Sequence, residues 1–320
     1  MITEASLIGI DVSRDRLDGF CLLGQRRFRH PNTAEGHNAL IAIVRQIPDQ
    51  VRVGFEATGG HGWVLWTELV ATGIVAVQLS PAQIKAFASS RGTRAKTDRI
   101  DAELIARFMA FRPEAGRELP GKNLRILRTL TTRRGQLVDM RKRLKAQIGA
   151  RKKQSVSADV EGMDDDLQDV LDAQISVIER RNENVIAQTE PLAAKANLLR
   201  SIPGIGPVSA AMLIAELPEL GRMTSGEAAA ITSLAPVAHD SGAMRSRRMI
   251  AGGRRSLRHV LFQAALAAAC HNPVLKPVAK RLKERGKPHK LVIIAIARRL
   301  VTIANAIIKT GKPWQIQPRE

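Results

Sequence analysis

Four carboxylates in the first hundred residues are of the type and spacing that hold a divalent cation: Asp11, Glu56, Asp98 and Asp101. Asp11 closes the apolar run 7–11 and Glu56 closes 51–56, so if these runs are neighbouring strands, both side chains emerge at one sheet edge. Asp98 and Asp101, within Lys96-Thr97-Asp98-Arg99-Ile100-Asp101-Ala102-Glu103, are three apart and share one helix face near its start. Hard cations take oxygen ligands, and two-metal phosphoryl transfer sets them around ions roughly 3.5–4 Å apart. Each acid alone has a plain structural alternative, Asp98 and Asp101 as reciprocal cap partners, Asp11 and Glu56 as turn residues. Placed together by one topology, the four favour Mg²⁺.

Two further constellations lie near the other end. Gly204-Ile205-Gly206 separates two apolar segments, and Gly204 and Gly206 would let backbone N–H groups face a phosphate at the start of the following helix. It resembles a helix-hairpin-helix; the alternative is an ordinary helix-helix turn. His239-Asp240-Ser241-Gly242 precedes Arg245, Arg247, Arg248, Arg254, Arg255 and Arg258, six arginines in fourteen residues with no acid among them. If ordered, they form a phosphate clamp. Ser241 sits on a small turn beside them; serine is most often a loop residue, and His239 and Asp240 are too close in sequence to converge on it as a triad.

The elements that must position these residues read as follows. Strand-like runs at 7–11, 17–23 and 26–30 form a meander, followed by a helix at about 33–46, a strand at 51–56, a helix at 61–71 and a strand at 74–79. Three strands, then helices alternating with strands, is the order of an RNase H-like (RuvC-like) α/β fold, with first and fourth strands adjacent. Gly9 and Gly54 occupy matching places in those two strands. After Pro120-Gly121 come two long segments with leucines and isoleucines at threes, fours and sevens, an antiparallel helical hairpin or coiled coil whose narrow seam suits a second copy. The remainder reads as all-α. We therefore expect a catalytic domain over 1–118, a helical connector and dimerisation segment over 119–197, and a helical domain over 198–320.

Charge points to the partner. Fifty Lys and Arg against thirty Asp and Glu give +20, and the residues from 241 onward hold eighteen basic and two acidic side chains. Residues 122–153 add twelve basic residues, among them Arg141, Lys142, Arg143 and Lys145, with Asp139 as the one acid. Such a balance favours nucleic acid. A membrane is the weaker reading: Phe is sparse and no stretch approaches about 20 uncharged apolar residues. Two cysteines, Cys21 and Cys270, and no export signal fit a reducing cytoplasm. The chain has no tyrosine, which excludes a Tyr–phosphate intermediate and leaves a serine or metal-activated water. An actin-like ATP site is disfavoured because Val12-Ser13-Arg14, with no glycine, follows the first aspartate.

Taken together, Asp11, Glu56, Thr97 to Ala102, Ile202-Pro203-Gly204-Ile205-Gly206, Asp240-Ser241-Gly242 and Gly252-Gly253-Arg254 with Leu257-Arg258 resemble the DEDD transposases of bacterial insertion sequences, known as bridge-RNA-guided recombinases. The resemblance spans essentially the whole chain. It implies that Asp11, Glu56, Asp98 and Asp101 hold Mg²⁺ and that Ser241 attacks DNA and becomes linked to its phosphate. It also implies a tetramer of two dimers with active sites shared between protomers, and a structured noncoding guide RNA that pairs with double-stranded donor and target DNA. Ala243-Met244 departs from the Gly-Lys of many relatives. The rival readings are a Holliday-junction-type nuclease using metal-activated water and a non-enzymatic nucleic-acid-binding protein.

Overall fold

The computed structural model describes residues 6–56, 59–92, 98–153, 158–237, 249–250 and 252–315, with backbone alone at 98–100, 158, 237 and 249. The chain divides into two compact units, Met1–Pro120 and Gly121–Glu320.

In the first unit, β1 (Ser6–Val12), β2 (Arg16–Cys21) and β3 (Arg26–Pro31) form the expected meander. Then follow α1 (Ala34–Arg45), β4 (Val51–Glu56), α2 (Trp63–Ala71), β5 (Val75–Leu79), α3 (Pro81–Ser90), α4 (Asp98–Phe111) and β6 (Arg117–Glu118). The sheet order is β3-β2-β1-β4-β5-β6, with β1, β4 and β5 parallel and the others antiparallel to their neighbours. The first and fourth strands lie side by side, as the sequence predicts for an RNase H-like order.

The period-two alternation of strands decides what each face carries. Ile8, Ile10, Val12, Val51, Val53 and Phe55 point to one face and pack on Leu40, Ile41 and Val44 of α1 and Leu65, Trp66 and Leu69 of α2. Leu7, Gly9 and Asp11 of β1, and Arg52, Gly54 and Glu56 of β4, therefore take the other face, where α4 lies. Gly9 is paired with Gly54 in register. A Cβ on Gly9 would stand 2.2 Å from the Ala102 carbonyl oxygen and 2.5 Å from the Ala106 nitrogen, and one on Gly54 would stand 2.3 Å from the Met109 sulfur. Two side-by-side glycines thus make the trough in which α4 rests.

That contact fixes the direction of α4. Arg52, near the start of β4, donates to the Ala115 carbonyl at 2.8 Å and to that of Pro113, both beyond the far end of α4, while Gly9 in mid-strand meets Ala102 and Ala106. The helix runs antiparallel to β1 and β4, so its first turn is carried toward their carboxyl ends.

The second unit opens with α5 (Lys122–Arg151) and α6 (Ala158–Ala187), two 30-residue helices. Leu137, Leu144, Leu171, Ile175 and Ile178 form their seam. Ion pairs Arg134–Glu179 (2.7 Å), Arg141–Asp172 and Arg151–Asp164 advance along one helix as they retreat along the other, so the pair is antiparallel. Next come α7 (Glu190–Arg200), α8 (Pro207–Glu216), α9 (Ser225–Ile231), β7 (Pro236–Val237), β8 (Met249–Ile250), α10 (Arg255–His271), α11 (Leu275–Glu284) and α12 (His289–Thr310). Leu127 and Leu124 of α5 join the core of α7 to α12, and Arg128 donates to the Ala215 carbonyl of α8 at 2.7 Å.

One expectation is corrected. The domain after the hairpin is not wholly helical: β7 and β8 pair as a two-stranded antiparallel ribbon. α12 is, by length and composition, apolar enough to cross a membrane, although Arg298 and Arg299 interrupt its apolar run. Its apolar side, including Val292, Ile293, Ile296, Leu300 and Val301, lies in the domain core, which is the physical reason for that composition.

Because the Gly9 obstruction is backbone and the Gly54 obstruction is a flexible thioether, Gly9→Ala should be the costlier change, at about 1–3 kcal/mol of overpacking. Urea unfolding checks this: the midpoint of Gly9→Ala should fall well below that of Gly54→Ala.

Candidate active site

Asp11 and Glu56 each stand one residue beyond Ile10 and Phe55, the last register pair of β1 with β4, on the face covered by α4. Both are half-buried and both have interaction partners in the structure. Asp101, also half-buried and partnered, directly precedes Ala102, the residue seated against Gly9. Asp98 is the first residue of α4; its side chain is outside the described set. The fold brings Asp11 and Glu56 to adjacent strands on one face and aims the first turn of α4 at the same end. Among the described residues, no group of three or more Asp, Glu, His or Cys side chains is arranged to hold a metal ion. By donor chemistry the acids suit a hard divalent cation, since carboxylate oxygens are what such ions take.

One neighbour was not singled out from the sequence. Asp18 of β2 is opposite Asp11 in the antiparallel register and lies on the same face. Its side chain is 9% exposed, and it accepts a hydrogen bond from Arg29 Nε at 2.7 Å. Arg29 is in turn opposite Asp18 on β3. A line of charge therefore crosses four strands, Arg29, Asp18, Asp11 and Glu56. Next to it, Arg27 is bonded to Glu103 of α4, with its guanidinium carbon 5.0 Å from the centre of the Phe20 ring. In the sequence Asp18 is an ordinary polar residue in an alternating strand; only the register sets it beside Asp11.

The second unit answers differently for its motifs. Ser241, with His239, Asp240, Arg245, Arg247 and Arg248, lies outside the described residues. The segment that carries them joins β7 to β8, whose pairing of Pro236 with Ile250 holds its two ends together. The ends are pinned further by Gly252-Gly253-Arg254. Gly253 has φ +63°, and a Cβ there would stand 2.6 Å from the carbonyl oxygens of both Ala230 and Ile231. The Arg254 amide donates to the Ile231 carbonyl at 2.8 Å.

The side chain of Arg254 grips Glu219 with both terminal nitrogens, at 2.8 and 2.6 Å, and bonds the Glu216 carbonyl. Its fork is thus engaged within the domain. Gly204 is also explained by packing: its φ is +108°, and a Cβ would stand 2.6 Å from that of Ala268 in α10. Gly206 is exposed with open space around it, and it caps α8.

Of the basic residues the sequence points to, Lys142, Arg143 and Lys145 of α5 and Arg255 of α10 face outward; Arg258 is half-buried, and Arg141 is tied to Asp172. The imidazole of His259 in α10 is held below its ordinary pKa by partial burial and then by the charges of Arg255, Arg258 and Lys142 of α5, with Asp139 opposing them. The shift favours the uncharged imidazole, so the charge here comes from Arg and Lys.

An α/β unit with acids at one sheet end, joined to a strongly basic helical unit, is a combination found among nucleic-acid-processing proteins, and the comparisons give the class as transposase. A DEDD transposase model of the IS110 type matches residues 8–151, and the model described as "Transposase IS116/IS110/IS902 family" matches residues 196–280. The chain belongs to the IS110 family of DEDD transposases, which makes it a DNA-cleaving enzyme of transposition or recombination. It is 27% identical over 328 residues to the pilin gene-inverting proteins of Moraxella lacunata and Moraxella bovis, covering 96% of this chain and 97% of each of theirs. It is also 27% identical over 130 residues to the insertion element IS110 43.6 kDa protein of Streptomyces coelicolor, covering 40% of this chain and 31% of that protein. A solved T. thermophilus RuvC, in complex with Holliday junction substrate, is 14% identical with a TM-score of 0.27, covering 35% of this chain and 99% of that one.

The two neighbouring arginines should separate on substitution. Arg254→Gln strips Glu219 of a bidentate partner and should cost about 2 kcal/mol of stability, whereas Arg255→Gln should leave the unfolding midpoint unchanged and weaken DNA binding. Denaturation and a binding titration on both variants read this directly.

Proposed function

We propose that this transposase cuts and rejoins DNA with Ser241 as nucleophile and Asp11, Glu56, Asp98 and Asp101 as the residues that would hold Mg²⁺. The observation that carries the reading is the shared face of Asp11 and Glu56 on adjacent parallel strands, with α4 running antiparallel toward the same end. When bound, Mg²⁺ supplies charge that lowers the pKa of the attacking hydroxyl and offsets the negative charge growing on the phosphate. The chain's own groups do the rest. Ser241 Oγ bonds to phosphorus, the bond from phosphorus to one sugar oxygen breaks, and that oxygen leaves as a hydroxyl after taking a proton. A strand-end hydroxyl then attacks the phosphoserine ester, the backbone is resealed, and the serine hydroxyl is regenerated. Phosphoester number is conserved, so no external energy source is needed. Arg245, Arg247, Arg248, Arg255 and Arg258 would bind non-bridging oxygens, where bidentate guanidinium contacts hold a phosphate best.

Sequence choice is, in this reading, delegated to a structured noncoding guide RNA that pairs with donor and target DNA, while the protein grips backbone through Lys142, Arg143, Lys145 and Gly206. The enzyme acts in the cytoplasm as a dimer that pairs into a tetramer. Self-association is supported by an outward apolar stripe on α6, where Met163 is 71% exposed, Leu167 50% and Val170 57%, spaced four and three residues apart. A second copy would present a stripe of the same length and apolar character.

Two experiments test this. Ser241→Ala and Asp11→Asn should each abolish strand cleavage with nucleic-acid binding within about twofold; a DNA strand covalently trapped on the wild-type protein, and absent from Ser241→Ala, separates the serine route from metal-activated water. Undiminished cleavage by Ser241→Ala ends the nucleophile assignment. Separately, Leu167→Glu with Val170→Glu should shift the particle in light scattering to a smaller assembly without loss of helix content.

A further inference from the structure

We propose that α11 and the turn after it form a second nucleic-acid-binding surface, distinct from the arginine-rich segment around Ser241, that grips phosphate backbone without reading bases. Residues 276–290 hold Lys276, Lys280, Arg281, Lys283, Arg285, Lys287 and Lys290, all exposed, against one acid, Glu284. Among the described residues, the ion pair on this stretch is Lys280–Glu284, at 3.9 Å with side chains 79% and 61% exposed. A pair so open to water neutralises little. Lys276, Lys280 and Lys283 recur at four and three residues and so form one ridge, with Lys287 continuing past the helix end. Like charges at these spacings repel, and a polyanion laid along the ridge relieves that repulsion. At its end the ridge meets the exposed amino end of α12, where His289 and Lys290 occupy a first turn with no acid, and the helix dipole adds positive potential.

The chemistry of the occupant follows from what the helix has already spent. α11 is strongly two-sided, but Leu275 and Ala279 are buried in the domain core with Val278 and Leu282 against it. The helix itself keeps no apolar face to enter a bilayer, and the exposed Val274 and Leu291 at its borders are single side chains rather than a stripe. Residues 276–290 contain no Phe or Trp on which a base could stack, so base reading has no platform here. Closely spaced phosphates, about one charge per 1.7 Å of duplex axis, fit the ridge. The surface rests on the nucleic-acid reading of this protein but on no metal or nucleophile.

The test uses the full-length protein with Lys276→Gln, Lys280→Gln and Lys283→Gln combined, a matching triple Lys→Arg variant, and a lone Lys280→Gln variant. The probes are a mixed-sequence DNA duplex, an RNA hairpin and vesicles of neutral and anionic phospholipid. The Gln triple should bind a nucleic-acid probe at least about tenfold more weakly at moderate salt, and its slope of log affinity against log salt on duplex DNA should be shallower by about 2.7, three contacts at about 0.9 each. The Arg triple should bind as wild type does, and Lys280→Gln should show about a third of the change in slope. Weakening on one probe alone names that nucleic acid as the occupant. Wild-type binding to both probes with the Gln triple unchanged on both overturns this surface and leaves the proposed function standing; a loss confined to the vesicles overturns it too. Failure of the wild type to bind either probe would instead sink the nucleic-acid reading itself.

Discussion

The closeness of α4 to the sheet is the constraint on which the first unit depends. An ordinary helix-on-sheet contact is spaced by side chains from both layers; here Gly9 and Gly54 remove the sheet's contribution, and the backbone at Ala102 and Ala106 settles against β1. A helix held by its backbone cannot slide by a residue without a clash, so its rotation and its direction are both fixed. The acids at its start inherit that placement. Ala102 and Ala106, both fully buried against Phe20, are small because the same closeness leaves no room for more.

Charge in this protein divides into a portion used up internally and a portion turned to solvent. Arg254 is locked to Glu219, Arg29 to Asp18, Arg27 to Glu103, and Arg134, Arg141 and Arg151 to acids of α6. These guanidiniums tie elements together with directional forks. Lys142, Arg143 and Lys145, and the ridge on α11, keep their charge at the surface. Lysine dominates that outward set, consistent with a compact cation on a flexible stem serving contacts with many registers rather than one.

The Gly252-Gly253-Arg254 motif gains a different meaning from this division. Positive φ at both glycines and the close approach of Gly253 to the end of α9 make it an anchor at the root of the segment bearing Ser241. With β7 and β8 paired just outside that segment, its two ends are held side by side. A rigid scaffold beneath a connecting segment is the usual way such a segment is positioned.

How much of this was legible in advance depends on the range of the interaction. The strands, the order that makes the first and fourth neighbours, the matching glycines and the long hairpin were readable because period-two and period-3.6 patterns and turn residues are local properties of a chain. The candidate acids were readable because carboxylates at strand ends and a helix start are local too. Register and packing were not. Asp18 joins the line through Asp11 only once two antiparallel strands pair, and Arg254 gains its bidentate partner only when Glu219, thirty-five residues away, is brought to it. α12 has a membrane-like composition that only its burial among α10 and α11 explains. A sequence states which groups a residue carries; whether those groups are free or spent is settled by the neighbours that folding supplies.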